Sequence, residues 1–178
     1  IKTEKGYVTI GSEKIGLLEE ILEDLPSGKK VVIFARFIHE IKMISYLLAR
    51  KKMSFMVIKG GVKNRKQLIK DFQGKKNPQI GVIQIQSGGV GITLTAADLA
   101  IFYSITFSSS DYEQAKARIH RIGQKNPVTY LHLIGRNTLD GATISAVKRK
   151  KKLADLVIDQ LNPNPGKHLK FSKREKSL

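Results

Sequence analysis

Asp111–Val128 reads DYEQAKARIHRIGQKNPV. At about 3.6 residues per turn, Gln114, Arg118 and Arg121 stand at i, i+4 and i+7, so a helix through this stretch presents one amide and two guanidiniums on a single face. Ala115, Ile119 and Ile122 repeat that spacing about 100° around the axis and supply an apolar face to lay on a core. The pattern predicts a packed helix holding two permanently charged, planar forks side by side. Such a pair suits an anion that gains charge as it reacts, and a transferring phosphoryl group is the commonest of these. A solvated helix face, or arginines paired with carboxylates elsewhere, is the alternative for the same residues.

Outward from this helix the chain alternates short apolar runs with amphipathic stretches. On the N-terminal side the pattern predicts a helix over 14–25, with Ser12 as N-cap and Pro26 as stop, and a strand at Val31–Ala35. A helix to about Arg50, a strand at Phe55–Ile58, a helix near 64–72 and a strand at 80–85 follow. A glycine-rich turn at 86–91 leads to a strand at 99–103; beyond the arginine helix come a strand at 128–134 and a helix over 139–161. Val31–Ala35 is apolar at every position, the mark of a parallel strand buried on both faces. Repeating β-α units imply an α/β fold: an open, mainly parallel sheet with helices on both faces and ligand loops at the carboxyl ends of the strands. Asn162-Pro163-Asn164-Pro165-Gly166 ends the last helix, and the basic remainder is expected to be disordered. The expected division is a lead-in over 1–13, the α/β body over 14–137, a C-terminal helix over 138–161 and a basic tail over 162–178.

The 178 residues, 41% of them apolar, suffice for one good core. With no cysteine, disulfide and thiolate–metal frameworks are excluded, and the four histidines offer no pair at metal-ligand spacing. No apolar run reaches membrane-spanning length, so no membrane partner is expected. Lys and Arg number 32 against 15 Asp and Glu, a net +17, and residues 163–178 carry only +4 of it. Most of the basicity therefore belongs to the folded body, and a surplus of that size points first to nucleic acid. The absence of an initiator methionine suggests a piece of a longer protein.

QAKARIHRIGQ, residues 114–124, resembles motif VI of the superfamily 2 helicases in the form used by Swi/Snf-type DNA translocases. QSGGVGITLTAADLAIFYS, residues 86–104, is similar to motif V of the same enzymes, and VVIFARFIHEI, residues 31–41, to motif IV. Lys59-Gly60-Gly61 with Arg65 and Phe72 resembles the segment that follows motif IV. The resemblance covers about Lys14 to Asp159. It implies the second RecA-like lobe of a DNA-stimulated ATPase that translocates on double-stranded DNA, with Gln114, Arg118 and Arg121 as catalytic residues. Gly89 and Gly91 would join the two arginines at the nucleotide, glycine letting backbone N–H groups approach a phosphate closely. Arg36, Lys59, Lys63, Arg65, Ser87 and Gly88 would hold the DNA backbone, although a surface cation explains the four charged members almost as well.

The sequence departs from the family pattern in places. Phe107 stands where Trp is usual, Ala117 where an acidic residue commonly precedes the first arginine, and Gly141 where Glu is typical. These changes suggest a divergent bacterial or phage member, cytoplasmic and nucleoid-associated; a eukaryotic member would be nuclear. Neither G-x-x-x-x-G-K-[ST] nor an Asp-Glu pair occurs in the chain: Gly28-Lys29, Gly74-Lys75 and Gly166-Lys167 are followed by Lys, Lys and His. ATP with Mg²⁺ is therefore expected to bind mainly to an N-terminal RecA-like lobe outside these residues, and the chain alone is expected to be inactive. Lys148–Lys152 is either a brace toward that lobe or a solvated basic surface. The rival readings are a non-catalytic, basic DNA-binding module on the same fold and a lobe of another superfamily 2 enzyme, such as an RNA helicase.

Overall fold

The computed structural model describes residues 2–3, 6–7, 13–74, 77–87, 91–135 and 138–161, with backbone alone for 2–3, 6–7, 87 and 151–161. Two short strands, β1 (Lys2–Thr3) and β2 (Gly6–Tyr7), pair antiparallel ahead of the body. The body then alternates: α1 (Glu13–Glu23), β3 (Val31–Ala35), α2 (Ile38–Arg50), β4 (Phe55–Ile58), α3 (Arg65–Gln73) and β5 (Ile80–Gln84). After a 3₁₀ turn at Ile85–Ser87 come β6 (Leu99–Phe102), α4 (Ser109–Ala117), β7 (Thr129–His132) and α5 (Leu139–Leu161). Strands β3 to β7 form one parallel sheet in the order β4-β5-β3-β6-β7. This is the open, parallel α/β sheet that the alternating pattern implied, and the architecture that the resemblance to a RecA-like lobe led one to expect. Ser12, the expected cap of α1, and the tail over 162–178 lie outside the described residues.

All five residues of β3 are buried, because the strand is central and covered on both faces. Its side chains alternate between two cores. Val32 and Phe34 join Phe72, Phe102, Tyr112, Ala115 and Ile119 on the face covered by α3, α4 and the start of α5. Val31, Ile33 and Ala35 join Leu18, Leu22, Ile41, Ile44 and Leu48 on the face covered by α1 and α2.

The chain leaves β3 toward β4 on one side and reaches β6 on the other, so the carboxyl ends of β3 and β6 flank the point where strand order reverses. Ligands of open α/β sheets bind at that crevice. Two bonds stitch it: Arg36 N donates to Ser104 Oγ at 2.8 Å, and Ser104 Oγ donates to Glu40 Oε2 at 2.5 Å.

The start of α5 is tied to α1. Lys14 Nζ lies 2.5 Å from Asp140 Oδ2 and also donates to the Tyr103 carbonyl at 3.3 Å. Burial would raise the Asp140 carboxyl's pKa, but Lys14, the Gly135 N–H and the Thr138 hydroxyl outweigh it and hold the pKa below its ordinary 3.8. A pKa depressed by folding stabilises the fold above the unfolded value and ceases to as pH falls through the folded one. Asp140→Asn is therefore expected to lower the melting temperature at neutral pH. The gap from the parent should close in melts run below pH 3.8, and a gap independent of pH would assign the effect to packing instead.

Candidate nucleotide and nucleic-acid site

The arginine stretch is not one helix. α4 is capped at its start by Ser108, whose Oγ accepts from Asp111 N at 3.2 Å, and it ends at Ala117. Extending it would require the Arg118 carbonyl to accept from the amide four residues on. That carbonyl instead accepts from Leu94 N at 2.8 Å, and Gly123 turns the chain with a φ of +101° that disfavours side chains. The expected face of Gln114, Arg118 and Arg121 is corrected accordingly. Gln114 is exposed and donates to Ser110 Oγ at 3.2 Å, back along its own helix; Arg118 is 7% exposed; Arg121 is exposed on the loop. The expected apolar face is likewise broken: Ala115 and Ile119 are fully buried, but Ile122 is 100% exposed.

What holds this loop is the segment 91–98. Besides the Leu94–Arg118 bond, Arg121 Nη1 donates to Thr93 Oγ1 at 3.2 Å, and Gln124 Nε2 donates to the carbonyls of Ala97 at 2.7 Å and Ile119 at 3.3 Å. Thr129 N continues the clamp onto the Asp98 carbonyl at 2.8 Å, and Lys29 pairs with the Asp98 carboxylate at 2.7 Å. α4 runs back from the carboxyl edge of the sheet, so the two arginines lie beside the chain that enters β6 rather than at the carboxyl ends of the strands. Burial lowers the pKa of Arg118, with Asp111 pulling the other way. Gly91, φ +92°, has open space where a Cβ would stand.

At the carboxyl edge stand the cations expected on DNA. Arg36 follows β3, with its guanidinium over the rings of Phe37 at 4.9 Å and Phe107 at 5.6 Å, both rings about half exposed. Lys59 follows β4 and is partly buried; Gly60 N donates to Gln84 Oε1 at 3.1 Å, and Lys63 is exposed. Arg65 turns back, its Nη2 donating to the Lys59 carbonyl at 3.0 Å, so part of its hydrogen-bonding capacity serves the fold. The residues of 114–124 and 91–98 thus meet around Thr93, while Arg36, Lys59, Lys63 and Arg65 lie at the carboxyl edge. Gly88, Gly89 and the Ser87 side chain lie outside the described residues. So do the side chains of Lys151 and Lys152, whereas Lys148, Arg149 and Lys150 are exposed beside buried Val147.

Three residues to which sequence reasoning gave no role hold the site together: Thr93, Gln124 and Gln73. Gln124 belongs to the quoted motif, so its position was visible although its partners were not. Gln73 Nε2 donates to the Thr93 carbonyl at 2.7 Å, and its Oε1 accepts from Ala96 N at 2.8 Å. No sequence pattern announces contacts across about 20 residues of connecting chain. Among the described residues no group of three or more His, Cys, Asp or Glu side chains converges on a metal position, and no helix is long and apolar enough to cross a membrane.

Residues 13–123 match the family model described as the helicase conserved C-terminal domain. The chain is 33% identical over 138 residues to the ATP-dependent helicase fft1 of Schizosaccharomyces pombe, covering 76% of this chain and 15% of that protein. It is 34% identical over 145 residues to a SWI/SNF-related, matrix-associated, actin-dependent regulator of chromatin of Drosophila melanogaster (subfamily A, containing DEAD/H box 1 homolog), covering 80% of this chain and 17% of that protein. The crystal structure of the C-terminal part of the Fun30 ATPase domain superposes with a TM-score of 0.70 at 25% identity, covering 87% of this chain and 57% of that one. The chain thus spans under a fifth of the length of these two relatives.

Proposed function

The chain belongs to the helicase conserved C-terminal domain family as a Swi/Snf-type lobe, and from that premise we propose that it is the second motor lobe of a DNA-stimulated ATPase that translocates on double-stranded DNA. The observation that carries this reading is the exposed Arg121, hydrogen-bonded to Thr93 on a loop held by the Leu94 amide and the Gln124 side chain, with Arg36 and Lys59 following the carboxyl ends of β3 and β4. Arg121 would approach the γ-phosphate of ATP bound mainly by a first lobe, with Arg118 supplying charge from below it and Gln114 orienting the approach. Gly89 and Gly91 would offer backbone N–H groups to the nucleotide. Mg²⁺ would arrive with the ATP, so the contribution derived for this chain rests on its arginines. Arg36, Lys59, Lys63, Arg65 and the Ser87–Gly88 turn would grip the DNA backbone, and closure of the two lobes would move the duplex. The site of action is then the nucleoid in a bacterial or phage source and the nucleus in a eukaryotic one.

The test has two arms. The chain alone should hydrolyse no ATP above background, because it supplies cations but neither a phosphate cradle nor Mg²⁺ carboxylates, and mixing with the matching first lobe should restore some turnover. It should bind duplex DNA weakly, without sequence preference and with a steep salt slope, since each phosphate contact releases counterions. Lys63→Ala should reduce that slope by roughly one unit. Tight, salt-insensitive binding to one sequence would argue for base readout. DNA binding with no turnover in the reunited protein would favour a non-catalytic module.

A further inference from the structure

α3 joins the two halves of the site. Its first residue, Arg65, is bonded to the Lys59 carbonyl at the carboxyl edge, and its last, Gln73, grips the segment beside the arginine loop. They stand eight positions apart in the nine-residue helix, about 12 Å at 1.5 Å per residue. The helix is seated firmly at its Gln73 end: Phe72 is fully buried in the core, and the Phe72 carbonyl accepts from Lys30 Nζ, which also donates to the Pro78 carbonyl at 3.2 Å. A buried ammonium on the last-turn carbonyl both caps the helix and fixes it to the amino end of β3.

The Gln73 amide uses both of its ends. Nε2 donates to the Thr93 carbonyl at 2.7 Å and lies 3.4 Å from Thr95 Oγ1, while Oε1 accepts from Ala96 N at 2.8 Å. That fixes the backbone on both sides of Leu94, whose N–H holds the Arg118 carbonyl, and sets Thr93, whose hydroxyl accepts from Arg121. We infer that Gln73 is a positioning residue: through Thr93 and Leu94 it places Arg121, and α3 carries the state of the Lys59–Arg65 grip to that arginine. The inference rests on the DNA-grip and arginine roles proposed above. Gln73 touches neither ligand, so its substitution should uncouple the two ends while sparing each.

The whole chain, labelled with ¹⁵N, is titrated with a short DNA duplex, and backbone amides at both ends of α3 are followed. In the parent, duplex should shift Gly60 and Arg65 at the grip and also Thr93 and Arg121 at the far end. Gln73→Ala should keep the first pair of shifts and the DNA affinity but lose the second pair. Gln73→Met, nearly the same volume without the amide, should do the same and serves if the alanine variant fails to fold. Gln73→Glu retains the acceptor for Ala96 N but sets a carboxylate against the Thr93 carbonyl, and should resemble the methionine variant. Shifts at Thr93 and Arg121 that persist in folded Gln73→Met would overturn the coupling while leaving the grip intact. If duplex moves neither Gly60 nor Arg65 in the parent, the grip itself is wrong, and the coupling built on it is overturned too.

Discussion

Arg121→Ala, introduced into the ATPase with both lobes present, is expected to lower turnover ~10³–10⁵-fold, about 4–7 kcal/mol of transition-state stabilisation, with DNA affinity nearly unchanged. Because Arg121 is exposed and its side chain is hydrogen-bonded to Thr93 rather than packed in either core, the melting temperature should stay close to that of the parent. Arg118→Ala should lose turnover on a similar scale but also destabilise the lobe. Arg118 is only 7% exposed, so truncation removes buried side-chain packing as well as charge. Lysine should rescue poorly at either position, since an ammonium cannot reproduce the planar fork. Turnover at saturating DNA, measured beside a melt of each variant, separates the two roles. Parent-like turnover in Arg121→Ala would make it an ordinary surface charge and end the catalytic reading of this loop.

Phe102→Ala should cost about 3–5 kcal/mol, the usual loss for emptying a buried aromatic site. Phe102 is fully buried in β6 and stacks on Phe34 with ring centroids 5.0 Å apart and on His132 at 5.0 Å and 7° between planes, with Tyr112 tilted against it at 5.0 Å. Two neighbouring strands and α4 therefore share one aromatic cluster, and collapse around the cavity would have to move all three. A domain is commonly stable by only about 5–15 kcal/mol, so the variant should unfold at much lower urea, with little change in the slope of the transition. Phe34→Ala should behave alike, and the double variant should lose less than the sum, because the two rings contact each other. Strict additivity in urea titrations would mean that the stacked pair contributes only through its separate burial. His132 bears on the same cluster: burial, then Lys148 and Lys116, lower its pKa, so it lies against Phe102 as a neutral ring near pH 7.

The five strands of the parallel sheet and their order of appearance were legible in the amino-acid pattern, because continuous apolar runs between turn residues have one economical fate in a sheet covered on both faces, whereas the short β1–β2 pair in the lead-in was not. Val31–Ala35 and Phe55–Ile58 fold over the residues expected, and Leu139–Leu161 is the helix its periodicity implied. The family was legible too, since a motif string depends on residue identity and order rather than on geometry. What the local pattern could not contain was competition for a backbone group from distant chain. Helical spacing alone placed Arg118, Arg121 and Ile122 on continuous faces; the Leu94 amide, 24 residues away in sequence, takes the Arg118 carbonyl, ends the helix at Ala117 and leaves Ile122 in solvent. Gln73 reads in sequence as one more polar residue at a helix end. Only the fold, by bringing α3 alongside 93–96, decides that its amide has two backbone partners there, because hydrogen bonds between distant segments depend on where the whole sheet puts them.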